Sequence, residues 1–178
     1  MAERPDLMAR RQDYVITFEA PADQIYRDLT SREFWEALMA SYQWVSQTSE
    51  LTAFRAGESG TDIEFRQVMP RTDLPPIARA VIPVDLAVTR EQHFGRYDHH
   101  NNRADGHYRA TVPGGLGHFT GRYHLSNTAT GSQLQLASVC KVHIPLVGGT
   151  LEQLILSNIT QLFDAEGAFM TSWVAEQH

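Results

Sequence analysis

Six polar side chains on otherwise apolar faces are the residues of this chain best suited to chemistry. Periodicity turns them toward a common interior from strands and from one long helix, and they are Gln67, Arg90, Gln92, Tyr108, Asn158 and Glu166. A buried polar group without a partner costs a few kcal/mol, so each needs an internal hydrogen bond, a water or a ligand. Arg90 and Glu166 can satisfy each other as an ion pair, or the same groups can orient the polar end of a bound molecule. A one-residue shift in strand register would instead turn a strand's polar residues to solvent.

Nucleophilic catalysis has no recognisable motif in the sequence. The chain contains no G-x-S-x-G elbow, and its single cysteine, Cys140, lies among apolar neighbours on a predicted strand, where a thiol behaves as an inert small hydrophobe. The glycine clusters PGGLG and LVGGT match neither a phosphate-binding loop nor a dinucleotide fingerprint. Acid–base chemistry by Glu166, Tyr108 or Arg90 stays open as an alternative. We assign no catalytic residue and expect no cofactor.

Metal ligation is not indicated by the histidines either. Of the eight histidines, His118 and His124 are six residues apart on one strand face, too far for a common ion, and His99 and His100 lie in a polar loop. A lone cysteine excludes an intramolecular disulfide and a cysteine-based zinc site. We therefore predict no metal site.

Composition and charge narrow the functional classes. The 178 residues carry a formal net charge of −6 and no cluster of Lys and Arg, which argues against nucleic acid as a partner. The sequence has no apolar run typical of a signal peptide and none long enough to span a membrane, so we expect a cytoplasmic protein without a membrane span. We predict a flexible tail over residues 1–12 and a single domain over residues 13–178.

The longest predicted element is a helix over residues 151–174. Its apolar residues cover about half of the circumference, a wider arc than a surface helix shows, so other elements must surround it. The apolar residues on this arc are Leu151, Leu154, Ile155, Ile159, Leu162, Phe163, Phe169, Met170 and Trp173. Asn158 and Glu166 project into the same arc.

The preceding chain predicts one strand, two short helices and then a series of strands. The first strand covers residues 14–19, the helices follow at residue 22 and at residue 30, and Phe34, Trp35, Leu38 and Met39 form the buried side of the second. The later strands cover residues 42–53, 61–69, 86–95, 106–112, 118–126 and 132–144. Residues 70–83 contain four prolines and are predicted to form a lid-like loop with a helical turn at most.

Three segments carry a resemblance to a known superfamily. They read APADQIYRDLTSREFWEALM, LPPIARAVIPVDL and TGSQLQLASVCKVHIPLVGGTLEQLI. With the order of elements, they make the chain similar to the START-like (SRPBCC, Bet v 1-like) superfamily and, within it, most similar to the uncharacterised family DUF2505. The resemblance implies an α+β helix-grip fold, in which a curved antiparallel sheet of about seven strands surrounds a long C-terminal helix and two short helices follow strand 1. It implies a pocket between sheet and helix, and it carries no catalytic motif.

The leading hypothesis is the binding, transport or sensing of a hydrophobic small molecule, such as a lipid, an isoprenoid or an aromatic polyketide, in that pocket. The candidate lining residues are Phe65, Gln67, Val88, Arg90, Gln92, Tyr108, Phe119, Tyr123, Asn158, Leu162, Glu166 and Phe169. Ile77 and Val81 are the candidate gate. The alternatives are a START-like enzyme of the cyclase or hydrolase type and a partner-binding module whose exposed sheet face carries the function. The sequence does not predict an oligomeric state.

Overall fold

The computed structural model describes residues 10–42 and 48–177, and within these ranges seven strands form one antiparallel sheet. The strands are β1 (Arg10–Phe18), β2 (Ser49–Gly57), β3 (Gly60–Met69), β4 (Leu86–Phe94), β5 (Arg103–Thr111), β6 (Gly117–Asn127) and β7 (Ser132–Val142). Their order in the sheet is β1-β7-β6-β5-β4-β3-β2. The predicted helix-grip architecture is confirmed.

The helices lie where the sequence indicated, with small changes at their ends. They are α1 (Ala22–Leu29), α2 (Arg32–Tyr42), α3 (Pro76–Arg79) and α4 (Gly148–Gln177), and a short 3-10 helix covers Arg71–Asp73. The predicted lid-like loop thus contains both the 3-10 turn and the single turn of α3.

Alternating side chains explain why the chain forms these strands. In β6, Phe119, Tyr123 and Leu125 are buried, whereas His118 and Arg122 point to solvent. Residues of one strand that are two apart share a face, so each strand contributes one apolar row to the interior. The interior faces predicted for β6 and β7 are confirmed by this pattern.

Two strand predictions need correction. β1 begins at Arg10, where Arg10 pairs with Cys140 and Gln12 with Ser138, so residues 10–12 of the predicted tail belong to the sheet. The rest of that tail lies outside the described residues. A strand beginning at residue 42 is wrong, because Tyr42 ends α2 and β2 begins at Ser49. Residues 43–47 lie outside the described residues.

Tyr42 is helical because it continues the buried face of α2. It follows Trp35 by seven residues, Leu38 by four and Met39 by three, which is the spacing of one helix face. Trp35, Leu38 and Met39 are buried in the main core, and Tyr42 packs against it. Tertiary contact on this face outweighs the strand preference of its aromatic and β-branched neighbours.

The apolar interior consists of two clusters. The main cluster joins α1, α2 and α4 to the sheet and includes Phe34, Trp35, Phe65 and Tyr123. The smaller cluster lies beneath α3, where Leu74, Ala78 and Leu151 are buried together. Ile77 and Val81 pack against this smaller cluster. The loop that contains α3 therefore covers the N-terminal end of α4.

α4 meets the rest of the fold along two adjacent stripes that differ in packing. The packed stripe, which is buried, consists of Glu152, Leu156, Phe163, Gly167, Met170 and Val174. The open stripe, which is half-buried, consists of Ile155, Ile159, Leu162, Glu166, Phe169 and Trp173. At 3.6 residues per turn the centres of these stripes lie roughly 90° apart around the helix.

The packed stripe faces the β1–β7 side of the sheet. The ring of Phe163 lies 5.6 Å from that of Tyr14 on β1. At Gly167 an added Cβ would lie 3.0 Å from Cγ2 of Ile16, so the small residue lets the helix approach β1 closely. Only a residue without a side chain fits here without displacing Ile16.

The last helix therefore does bury a broad apolar face, as predicted, but the buried face is rotated from the predicted position. The predicted face was centred on the open stripe, whereas burial is most complete a quarter turn away. Asn158, which was predicted to project into the interior, is exposed. It lies at the edge of the open stripe farthest from the packed one, where neither α3 nor the sheet covers it.

Candidate ligand-binding site

A trio of polar side chains, of which Arg90 is buried and Tyr42 and Glu166 are half-buried, connects the open stripe of α4 to β4 and α2. Arg90 donates from Nη1 to Oε1 of Glu166 at 2.8 Å, and the hydroxyl of Tyr42 donates to the same oxygen at 2.7 Å. Arg90 is only 8% exposed, and its guanidinium carbon lies 4.6 Å from the centre of the Phe65 ring. The ion pair that the sequence left as one of two alternatives is thus formed.

The electrostatics of this trio keep the Tyr42 hydroxyl and the Arg90 guanidinium protonated. Burial alone lowers the pKa of Arg90, but the neighbouring carboxylate of Glu166 more than offsets this, and the net pKa is raised. Burial, followed by the negative charge of Glu166, raises the pKa of the Tyr42 hydroxyl. The loss of either charged partner would leave the other buried without compensation, at a cost of about 3–5 kcal/mol.

Two further polar pairs lie deeper in the sheet interior. Tyr123 donates to Oε1 of Gln92 at 2.5 Å, and burial raises the pKa of the Tyr123 hydroxyl well above its usual value. Tyr108 is hydrogen-bonded to Ser138, and burial raises its pKa to about 12. Among the described residues Nε2 of Gln92 is buried without a partner.

Gly121 makes the Tyr108–Ser138 contact possible. It pairs with Tyr108 on one side and with Ser138 on the other, so the tyrosine ring must cross over it. A Cβ at this position would lie 2.0 Å from Cζ of Tyr108. The glycine is therefore required for this buried polar pair.

The stretch of the open stripe between its two covers is less completely buried than the packed stripe. α3 covers the N-terminal end through Leu151, and α2 covers the C-terminal end, where Phe34 lies 5.7 Å from Phe169. Between these covers Ile155, Ile159 and Leu162 remain half-buried. The stretch spans about two helical turns.

The opposite wall of this stretch is also incompletely covered. Val88 shares a strand face with Arg90, and Ala110 and Gln67 are the register partners of Arg90 and Val88. All three of Val88, Ala110 and Gln67 are half-buried. The sheet residues next to Arg90, like this stretch of α4, are therefore incompletely covered.

The structure divides the predicted lining residues into three groups. Those buried in the interior are Phe65, Arg90, Gln92, Tyr108, Phe119 and Tyr123. Those half-buried are Gln67, Val88, Leu162, Glu166 and Phe169. Asn158 is exposed and is withdrawn from the site. The gate residues Ile77 and Val81 are half-buried at the N-terminal cover, and their role stays a prediction.

Most of the predicted aromatic lining is core. Phe94 stacks on Tyr123 with ring centres 5.0 Å apart, and Trp35 stacks on Phe65 at 5.7 Å. Rings that contact each other in this way fill space rather than surround it. The accessible part of the interior is aliphatic, on α4 and β4.

Sequence reasoning missed Tyr42, Ser138 and Glu152. Tyr42 was assigned to a strand, although its spacing from Leu38 and Met39 indicated a helix. Glu152 is 2% exposed, and it lies on the α4 face toward the sheet. Glu152 is two heptads before Glu166, and residues seven or fourteen apart lie on nearly the same helix face. This spacing could have indicated that Glu152 also points inward.

A hollow of about 930 Å³ lies on the other face of the sheet, away from α4. Many of its outward side chains are charged, and two pairs of them are in contact, His93 with Asp62 at 2.7 Å and Arg109 with Glu91. These pairs are open to solvent and contribute little to stability. Within residues 10–42 and 48–177 no group of three or more His, Cys, Asp and Glu is arranged to hold a metal ion.

The family of the chain follows from comparison with known sequences. Residues 13–174 match the family described as Protein of unknown function (DUF2505). The chain belongs to this family. The uncharacterized protein Rv0481c of Mycobacterium tuberculosis (strain ATCC 25618 / H37Rv) is 26% identical over 180 residues, which cover 94% of this chain and 98% of that protein.

Solved structures with the same architecture identify the fold as Bet v 1-like. Ara h 8.0201 superposes with a TM-score of 0.57 at 12% identity, covering 94% of this chain and 99% of that one. Norcoclaurine synthase from Thalictrum flavum superposes with a TM-score of 0.54 at 14% identity, covering 100% of this chain and 95% of that one. Identities this low establish the fold alone.

None of the helices that the structure describes combines the length and the apolar character that crossing a bilayer requires.

Proposed function

We propose that this protein binds a hydrophobic small molecule in the cleft between α4 and strands β3 to β5. One observation carries the proposal: apolar residues on both walls of the cleft, Ile155, Ile159 and Leu162 opposite Val88 and Ala110, keep partial solvent exposure inside the grip of the sheet. Apolar surface in water is unfavourable, and a ligand that covers it gains this free energy on binding.

The trio beside the cleft supplies the polar contacts that small-molecule sites use for orientation. Arg90 donates to Glu166 from Nη1, and its guanidinium carries four further N–H donors in the buried interior. Nε2 of Gln92 is a second buried donor close to Arg90 on the same strand face. A ligand with a carbonyl, hydroxyl or carboxyl oxygen at its inner end fits this arrangement.

The ligand class follows from these walls. Aliphatic side chains and a few donors suit a lipid, an isoprenoid or an aromatic polyketide, which the protein carries or senses in the cytoplasm. Norcoclaurine synthase, which shares the fold only, is described in complex with dopamine and hydroxybenzaldehyde. That complex supports the view that this architecture can hold small aromatic molecules.

Catalysis is not part of the proposal. The best candidate base, Glu166, accepts hydrogen bonds from both Arg90 and Tyr42 on the same oxygen. We therefore assign this carboxylate the role of holding Arg90 in place.

The proposal is tested by filling the cleft. Leu162→Trp adds bulk to the open stripe, and Gln161→Trp, at the neighbouring exposed position, is the matched control. We expect thermal-shift and native mass spectrometry screens against lipids, isoprenoids and aromatic polyketides to find a ligand that binds the wild type and the Gln161→Trp variant, and that binds the Leu162→Trp variant at least about tenfold more weakly. A wild-type protein that binds no member of these libraries, or a ligand unaffected by Leu162→Trp, would contradict it.

A further inference from the structure

Leu146 is the most exposed large apolar side chain among the described residues, and it lies in a strained turn. Its relative exposure is 104%. Its φ is 71°, in the left-handed region that residues other than glycine rarely adopt. The amide of Val147 donates to the carbonyl of Pro145 at 2.9 Å, so Leu146 is the central residue of a rare and strained three-residue turn. An exposed leucine gains no packing from such a turn, which makes the turn a candidate for a functional role.

Other exposed apolar side chains lie at the same end of the fold, which we call the α3 end. It consists of the loops that join β3 to β4, β5 to β6 and β7 to α4. Val84 lies in the first of these loops, and Met69 pairs with Leu86 at its two ends; Val84 and Met69 are both exposed. The chain neighbours of Val84 and Leu146 all pack against the small cluster beneath α3, namely Ile82, Leu86, Ile144 and Val147. The exposed apolar residues of these two loops therefore lie at one end of the molecule.

Cations outnumber carboxylates on the surface of the α3 end, although the whole chain has a formal net charge of −6. Arg71 donates to the carbonyls of Ile82 and Arg79 at 2.9 and 2.8 Å, and it forms an ion pair with no described residue. The guanidinium of Arg10 also lies here, 3.6 Å from the position of a Cβ at Gly149. The cations are Arg10, Arg71, Arg79 and Lys141, and the carboxylates are Asp73 and Asp85. The end that exposes apolar side chains is thus a cationic end of an acidic protein.

We propose that the α3 end docks on a membrane surface that contains anionic lipids, with Leu146 inserted at the boundary of the acyl chains. Apolar side chains gain free energy when they leave water for this boundary, and neighbouring cations are attracted to anionic head groups. Single apolar side chains on two loops, rather than one broad apolar patch, favour lipid over a protein partner. The inference goes beyond the proposed function and does not depend on it, because it concerns the loops and not the cleft.

Vesicle binding tests this docking. The protein is mixed with phosphatidylcholine vesicles that contain or lack phosphatidylglycerol, and the bound fraction is measured by flotation. Leu146→Asn removes the apolar side chain and introduces a residue that adopts the left-handed conformation more readily. Val15→Asn is the matched control, because Val15 is also an exposed apolar residue but lies in the middle of β1, away from the α3 end.

We expect the wild type to bind the anionic vesicles at least about tenfold more tightly than the zwitterionic ones, and to bind them more weakly at high salt. Leu146→Asn should weaken binding to the anionic vesicles about tenfold, because the leucine side chain no longer leaves water. It should leave the melting temperature unchanged or raise it, since the turn is less strained. Val15→Asn should bind as the wild type does. Unchanged vesicle binding by Leu146→Asn, or no binding by the wild type, would contradict the inference.

A fluorophore at the turn reports insertion without relying on affinity. Leu146→Cys and Val15→Cys are each labelled with an environment-sensitive dye, in a chain whose native Cys140 is buried. A blue shift at position 146 alone, and only with anionic vesicles, supports insertion of the turn. Equal shifts at both positions, or none at either, overturn it.

A second copy of the chain is the other partner that could cover the α3 end. Sedimentation velocity in the absence of vesicles detects it. A dimer that Leu146→Asn dissociates, together with no vesicle binding by the wild type, assigns the turn to contact between copies and overturns the inference. Ligand binding in the cleft, measured without vesicles, should be equal in the wild type and Leu146→Asn, so failure of docking and failure of the proposed function are distinguished.

Discussion

The two stripes of α4 lie a quarter turn apart on one helix and have different packing. On the packed stripe Phe163, Gly167 and Met170 are fully buried against β1 and β7, with a glycine where the helix comes closest. On the open stripe Ile155, Ile159 and Leu162 are as apolar and yet remain half-exposed. Complete packing of an equally apolar surface would have been more stable. One side of the helix holds the fold together, and we propose that the other binds a ligand.

The same substitution on each stripe measures how differently the two stripes are packed. Leu156→Ala removes a side chain that is 6% exposed, and we expect it to lower the free energy of unfolding by about 3–5 kcal/mol, because a cavity remains in a packed core. Leu162→Ala should cost about 1 kcal/mol, because water already reaches this side chain. Urea unfolding of both variants measures the two values.

Equal losses at these two leucines would mean that the open stripe is packed as tightly as the other. The open stripe would then not line a cleft. Both variants should keep the circular dichroism spectrum of the wild type at low urea, which serves as the control for folding.

The pH dependence of stability reports on burial of Tyr108 in the sheet interior. Burial raises the pKa of Tyr108 from 10.0 to about 12. Between these pH values the unfolded state has lost the proton and the folded state has kept it, so the free energy of unfolding falls as pH rises. The contribution of Tyr108 to the free energy of unfolding is fully present below pH 10. It falls by about 2–3 kcal/mol as the pH rises to about 12.

Urea unfolding from neutral pH to about pH 12, compared between the wild type and Tyr108→Phe, measures this contribution. The variant lacks the titrating hydroxyl and should show a shallower alkaline decline. Parallel declines in the two proteins would show that Tyr108 is not held in the packed interior. Tyr42, Tyr123 and Cys140, whose pKa values burial also raises, contribute to the decline that remains.

Much of the fold was predictable because its signals are local. Alternation in β6 and β7 and the apolar arc of α4 each follow from the spacing of a few residues. The alternation of side chains along β4 predicts that Arg90 points inward, and the helical period of α4 predicts the same for Glu166. Their ion pair was therefore among the predicted alternatives. These features depend on side-chain direction along one element.

What the sequence did not reveal depends on contacts between elements. The packed stripe includes Gly167 and Glu152, which no hydropathy pattern ranks as interior, and it is buried because Ile16 and Cys140 lie opposite. Tyr42 belongs to the trio because α2 extends further than its local strand preference suggests. Asn158 was misplaced because the apolar arc was broader than the surface that the sheet covers.

Solvent access to the open stripe can be measured by the rate of thiol modification. Ile159→Cys and Met170→Cys place a thiol on each stripe, in a chain whose single native cysteine, Cys140, is 1% exposed. We predict that a maleimide modifies Ile159→Cys at least about tenfold faster than Met170→Cys in the native protein, and that dodecanol slows only the first reaction. Equal rates at the two positions would contradict the existence of an accessible cleft beside α4.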